Sequence, residues 1–390
     1  MKGFTNENIK FDVLRQRAYN MRWAEQDTDV IPLTAADHDF PCAPEVVQAL
    51  QDYIKEGYFT YTPHRGFPSF KQAIAKAMKE RKNEDVNPDF VLPIDSAARG
   101  MKVIADAVLQ PGDEVIVFDP VDFLFRTSME SAGAKVILFP TNLQSDCVSL
   151  EGLEDYITPK TKMLGFCNPH NPIGRVWTEE EMAKLVELCV KYNVYLLSDE
   201  IHGDFGLTRK YTTAGKFTQI YDKLVVYTAI SKTFNLAGLG SSCMIIPNAE
   251  LKQKIQDAYD SRWMFGPSDL AFTAMEAAYT YGDQWVDEQC EYLKGSAEIV
   301  RKFVEEKMPE VKVTIHEGTF LMWLDMTCFG KTSDELTEIF AKEYGLAIGN
   351  GAHYGKQADG YMRLNIGCAR SILQKGLDQM AKMYADYSNK

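Results

Sequence analysis

Lys162-Met163-Leu164-Gly165-Phe166-Cys167-Asn168-Pro169-His170-Asn171-Pro172-Ile173-Gly174-Arg175-Val176-Trp177-Thr178 opens with an apolar run and ends in a loop dense in turn formers. Residues 179–192 then have helical patterning, and Thr178 with Glu181 three residues on makes a capping box. The chain returns to an apolar run, Val194-Tyr195-Leu196-Leu197-Ser198, which ends at Asp199. Strands that are apolar throughout and separated by a helix are the pattern of a parallel sheet covered on both faces.

The same alternation extends outward over roughly 68–250. It adds strands at 114–118, 135–139, 224–228 and 242–246 and a helix at 97–109. After about residue 285 the character changes: a long helix at 285–308, strands at 311–315 and 319–324, a helix, a strand at 360–366, and a closing helix to about 387. The fold class is therefore α/β, a large domain with a mostly parallel sheet flanked by helices, plus a smaller α+β domain. The expected division is an amino-terminal arm at 1–45 that joins the small domain, a large domain at 46–284 and the small domain at 285–390.

A net charge of −13 and a pI near 5.1 argue against nucleic acid, which requires a clustered basic face. Small molecules are the expected partners. Eight cysteines (42, 147, 167, 189, 243, 290, 328 and 368) are scattered without a CxxC pair, as in a reduced cytosol. Met1-Lys2-Gly3-Phe4-Thr5-Asn6-Glu7-Asn8 has no apolar segment behind its positive charge, and no run of about 18 apolar residues appears. A cytoplasmic protein without a membrane segment is expected. Gly238-Leu239-Gly240 precedes a strand rather than a helix, so it is not a dinucleotide loop. Asp37-His38-Asp39 and the pair Cys167 and His170 belong to no four-ligand set, so no metal is expected.

Two further motifs complete the pattern: Ser198-Asp199-Glu200-Ile201-His202, and Ser231-Lys232-Thr233-Phe234-Asn235-Leu236-Ala237-Gly238-Leu239 directly after the run 224–228. Ligands of parallel sheets sit beyond the strands' carboxyl ends, where Asp199 and Lys232 both fall. A lysine at a strand-to-loop junction, with an aspartate ending an earlier strand, suits pyridoxal phosphate chemistry: the amine carries the cofactor aldehyde, and the acid keeps the pyridine nitrogen protonated.

These three motifs, in this order, resemble those of fold-type I pyridoxal phosphate enzymes, the aspartate aminotransferase superfamily. Within it they are most similar to the cystathionine β-lyase (C–S lyase) branch of the MalY/PatB type. The resemblance spans nearly the whole chain, including Pro32-Leu33 to Asp37-His38-Asp39-Phe40. It implies Lys232 as cofactor-bearing lysine and proton shuttle, Asp199 as partner of the pyridine nitrogen, Asn171 as donor to the ring oxygen, and His202 in the place of a tyrosine with that task. It implies phosphate binding by Ser96, Ala97 and Ala98 at a helix start, with Ser231, and by Tyr61 reaching the neighbouring subunit of a homodimer whose active site lies at the subunit interface. Arg363 in Tyr361-Met362-Arg363-Leu364-Asn365 is the implied holder of the substrate α-carboxylate.

The chain departs from the branch at three places and from many aminotransferases at a fourth. The aromatic that stacks on the cofactor ring is replaced by Asp122 in Pro120-Val121-Asp122-Phe123, leaving Phe123 as the ring contact or a carboxylate on that face. The family's Trp-Val-Ala-Asp reads Thr34-Ala35-Ala36-Asp37, with Ala36 expected at the substrate. Ser96-Ala97-Ala98-Arg99 stands where Gly-Val-Val-Pro is usual, and Gly240 occupies the place of a phosphate-balancing cation. The activity implied is β-elimination from cystathionine or another cysteine conjugate, giving a thiol, pyruvate and ammonia. The alternatives are an aminotransferase of aromatic or bulky amino acids and a non-catalytic regulatory protein that retains the fold.

Overall fold

The computed structural model describes residues 3–141, 148–264 and 266–388. Cys147, and Met1 and Lys2 of the amino-terminal reading, lie outside them. Strands of the described residues are β1 (Ile31–Leu33), β2 (Val91–Ile94), β3 (Glu114–Asp119), β4 (Lys135–Pro140), β5 (Thr161–Cys167), β6 (Tyr195–Asp199), β7 (Leu224–Ala229) and β8 (Ser242–Ile245), then β9 (Lys312–Val313), β10 (Leu321–Asp325), β11 (Leu346–Asn350) and β12 (Tyr361–Asn365). They form two sheets, β2-β8-β7-β6-β5-β3-β4 and β1-β11-β12-β10-β9.

In the first sheet β3 to β7 pair in parallel, and only β8 opposes its neighbours. Helices cover both faces of an apolar layer in which β3, β7 and β8 are buried end to end. The register brings the strand ends level: Cys167 lies beside Asp199, and Asp199 beside Tyr227. That row of carboxyl ends is where the loops carrying Asn171, Asp199 and Lys232 begin.

The helix Glu179–Tyr192 sets the spacing of β5 and β6. At its start the Thr178 hydroxyl accepts from the Glu181 N–H at 3.2 Å and the Glu181 carboxylate accepts from the Thr178 N–H at 2.8 Å. At its end Asn193 takes a left-handed conformation, φ 57°. Met182, Leu185, Val186 and Cys189 form the buried stripe between.

The second sheet draws its first strand from far up the chain, because β1 pairs in parallel with β11. Its core is separate and includes Phe320, Leu324, Phe340, Leu364 and Met380. Three strands are not expected from patterning, for local reasons. β1 has three residues and a central proline, while β2 carries Pro93 and survives as an edge strand, where the missing N–H is tolerated. β11 follows its preceding helix through Gly345 alone. The strand expected at 311–315 contracts to Lys312–Val313, the one at 319–324 lies at Leu321–Asp325, and the long helix runs Asp283–Lys307.

Candidate active site

Asp199 is the last residue of β6 and is buried. Its Oδ1 accepts from the Ile201 N–H at 3.1 Å. Burial pushes its carboxyl up to about 7, against that hydrogen bond, with the charges of Asp122 and Glu200 adding to the rise. Lys232, three residues beyond β7, is half-buried, and its Nζ donates to the Ala36 carbonyl at 2.9 Å and lies 3.8 Å from Asp37 Oδ1. Desolvation holds its ammonium below the ordinary lysine value; Asp37 pulls it back up and Arg363 pushes it down.

The second sheet supplies the opposite wall. Arg363, mid-strand in β12 and buried, reaches across to donate from Nη1 to Asn171 Oδ1 at 3.0 Å. Its guanidinium lies 4.7 Å from the centre of the Tyr354 ring. Among the described residues no carboxylate forms an ion pair with it, so its remaining donors stay open to an anion. Asn365, two residues on, donates to the carbonyls of Thr34, Ala35 and Asp37 at 3.3, 3.1 and 2.7 Å. It clamps the 34–37 loop, in which Ala35 has φ 56°, over Lys232.

Ser96 caps the helix Ala97–Val108, its hydroxyl accepting from the Arg99 N–H at 3.2 Å. The amides of Ala97 and Ala98 begin that helix and have no carbonyl a turn earlier to receive them. Tyr227, the register neighbour of Asp199, donates its hydroxyl to the Ser96 carbonyl at 2.6 Å, which joins this helix start to the same site. Gly100 makes the approach possible, because a Cβ there would sit 2.2 Å from that hydroxyl. At Gly240, φ +67°, a Cβ would lie 2.5 Å from the Asp95 carbonyl, so a cationic side chain has no room there.

His202 is buried against Phe320 at 5.5 Å, and neither ring nitrogen has a hydrogen-bond partner among the described residues. Burial first, then the charges of Lys232 and Arg363, keep the ring neutral. Ser231 is buried beside Lys232. Tyr61 is 99% exposed and takes no part in its own chain's site, and Phe123 is 46% exposed on the first turn of the helix Phe123–Ser131. Asp122 caps that helix, its Oδ1 accepting from the Leu124 N–H at 3.0 Å and its Oδ2 from Asn171 Nδ2 at 2.9 Å. Asp37, Asp122, Tyr354 and Asn365 are the members of the site to which sequence reasoning gave no settled role. Asp37 and Asn365 stand inside quoted motifs, whereas Tyr354 follows a strand too short to be seen.

The Aminotransferase class I and II family profile matches residues 28–379. The chain belongs to that family. It is 33% identical over 357 residues to cystathionine beta-lyase PatB of Bacillus subtilis, covering 90% of this chain and 91% of the relative. The fold superposes on cystalysin of Treponema denticola, a crystal structure described as containing a pyridoxal 5'-phosphate cofactor, with a TM-score of 0.92, 28% identity and 98% of each chain covered. A PLP-bound C–S lyase of Staphylococcus hominis gives a TM-score of 0.87 at 25% identity, over 97% and 99% of the chains.

The residues present fit pyridoxal phosphate. Among the described residues a buried carboxyl at the strand ends is short of a cationic partner and a buried imidazole has two unused nitrogens; a helix start presents amides for a phosphate, and a desolvated lysine stands near the carboxyl.

Proposed function

We propose that this chain is a pyridoxal phosphate-dependent C–S β-lyase that cleaves cystathionine or related cysteine conjugates, with water, to a thiol, pyruvate and ammonia. The observation that carries the reading is the convergence of Lys232, Asp199, Asn171 and Arg363, from four separate segments, on one site in a chain 33% identical to a cystathionine β-lyase over 90% of its length. When bound, the cofactor supplies the electron sink that makes the substrate's α-proton acidic.

The chain's residues divide the remaining tasks. The amides of Ala97 and Ala98, with the hydroxyls of Ser96 and Ser231, hold the phosphate. Asp199 would hold the pyridine nitrogen, whose cationic N–H would offset the burial that otherwise disfavours its charge. Asn171 and His202 face the ring oxygen. Arg363 takes the α-carboxylate with the donors that no carboxylate of the described residues occupies, a task suited to a planar fork. Lys232 Nζ, a weaker base than an exposed lysine, is free of its proton more readily, and it would accept the α-proton and return a proton. Asp37, 3.8 Å away, is placed to hold the ammonium form that Lys232 takes once it has accepted the α-proton.

Reduction of the holoenzyme with borohydride, followed by peptide mapping, tests the assignment: the label belongs on Lys232 alone, and Lys232→Ala abolishes both label and turnover. A label on another lysine overturns it.

We also infer a homodimer with a shared active site. Tyr58, Phe59 and Tyr61 are 73%, 61% and 99% exposed, a concentration of bare aromatic surface that supports burial in a second copy, with Tyr61 entering the other protomer's phosphate site. Light scattering that shows a monomer at working concentration contradicts this. A cytoplasmic setting belongs to the same reading: the seven cysteines among the described residues are free, and no helix there is long and apolar enough to cross a membrane.

A further inference from the structure

Asp122 is where the chain departs most from its relatives, and its carboxylate is fully engaged. One oxygen caps the helix Phe123–Ser131 and the other accepts from Asn171 Nδ2. A carboxylate only accepts, so it dictates which end of the Asn171 amide faces it. The amide oxygen is thereby turned to Arg363, whose Nη1 donates to it at 3.0 Å.

The segment around Asp122 reaches Arg363 a second time. The Val121 N–H donates to the Tyr354 carbonyl at 3.0 Å, and the Tyr354 ring lies 4.7 Å from the guanidinium carbon. His170, in the same loop as Asn171, bonds the Pro120 carbonyl through Nε2 at 2.8 Å. Residues 120–122 are thus tied to both groups that hold the guanidinium, a hydrogen-bond acceptor on one side and a ring face on the other.

We propose that Asp122 is a positioning residue for substrate binding: it locks the Asn171 amide, and through that amide it aims Arg363 at the substrate carboxylate. The inference rests on the lyase reading in one respect, that Arg363 is the carboxylate holder. Loss of the lock leaves the charge of Arg363 in place and frees its direction, so affinity for substrate falls while the chemistry of bound substrate is largely kept.

Asp122→Asn is the sharp test, because asparagine still caps the helix but turns an N–H₂ toward the N–H₂ of Asn171. One of the two contacts must then fail. Asp122→Ser, also a good cap but too short to reach Asn171, is the second variant. In holoenzyme assays at saturating cofactor with cystathionine, both are expected to raise KM about tenfold with kcat within about threefold of wild type, at an unchanged unfolding midpoint and with cofactor affinity changed by less than KM. Unchanged KM in both variants overturns the proposal. So does a loss confined to cofactor affinity, which would place Asp122 on the cofactor rather than behind the arginine. Wild-type enzyme run in parallel separates the two claims: if it releases no pyruvate from cystathionine, the lyase reading fails. The KM comparison then moves to the amino acid it does transform with a keto acid, where the same contact is measured.

Discussion

At the residue scale the site is a set of buried charges that the chain alone leaves unbalanced. Asp199, pushed to about 7 by burial, costs the fold something at neutral pH unless a cation faces it. Asp199→Asn keeps the shape and removes the charge, so kcat is expected to fall by on the order of 10²–10³, with cofactor content reduced less. Near-normal kcat contradicts the role proposed for it, opposite the pyridine nitrogen. Lys232, Asp199 and Asn171 were legible in the sequence because each sits in a short motif at a strand end. The locked amide was not: Asp122 and Asn171 are 49 residues apart, and Asn171 and Arg363 are 192 apart. Each looks ordinary alone, and no spacing rule joins an aspartate that caps a helix to an arginine in another sheet. Sequence reading placed a ring-facing carboxylate or Phe123 at this position, whereas the structure shows the carboxylate turned to a neighbouring amide and the phenyl ring half in solvent.

At the element scale, punctuation decided what could be read. The helix Glu179–Tyr192 is legible to the residue because its capping box and left-handed Asn193 are local. β11 was invisible because its pairing with β1, more than 300 residues earlier, supplies what its own short run lacks. The segment after β6 is held from beneath by Glu200, which accepts from Ser198 Oγ and the Ala214 N–H, each at 2.8 Å, and from the Tyr211 hydroxyl. Glu84, buried beside it just past the helix Pro68–Lys82, has its carboxyl raised from 4.5 to about 7 by desolvation and then by the charge of Glu200. A carboxyl raised in the folded state contributes stability that is complete below pH 4.5 and is lost as pH rises through about 7. Glu84→Gln, neutral throughout, is expected to match wild type near pH 4.5 and to exceed it above pH 7, by up to about 3 kcal/mol. Urea unfolding at the two pH values checks this; a difference that does not change with pH contradicts it.

At the scale of the whole molecule, the two sheets divide the work. The first presents the strand ends that carry Asn171, Asp199 and Lys232, and the second reaches over with Arg363 and with the 34–37 loop that Asn365 clamps. The parallel sheet was legible from apolar runs alternating with helices. The seam between the sheets was not, since it is made by single side chains from distant segments. A site of this kind supports either elimination or amino-group transfer, because both begin with removal of the α-proton, and under the proposed roles the outcome is set by what leaves the β-carbon and where Lys232 returns its proton. The decisive measurement is product analysis of the purified holoenzyme with cystathionine and no added keto acid. A lyase releases homocysteine, pyruvate and ammonia in equal amounts over many turnovers. Conversion of cystathionine to its own keto acid with the C–S bond intact, which stops after one turnover and resumes only when a second keto acid is supplied, contradicts the account and identifies an aminotransferase.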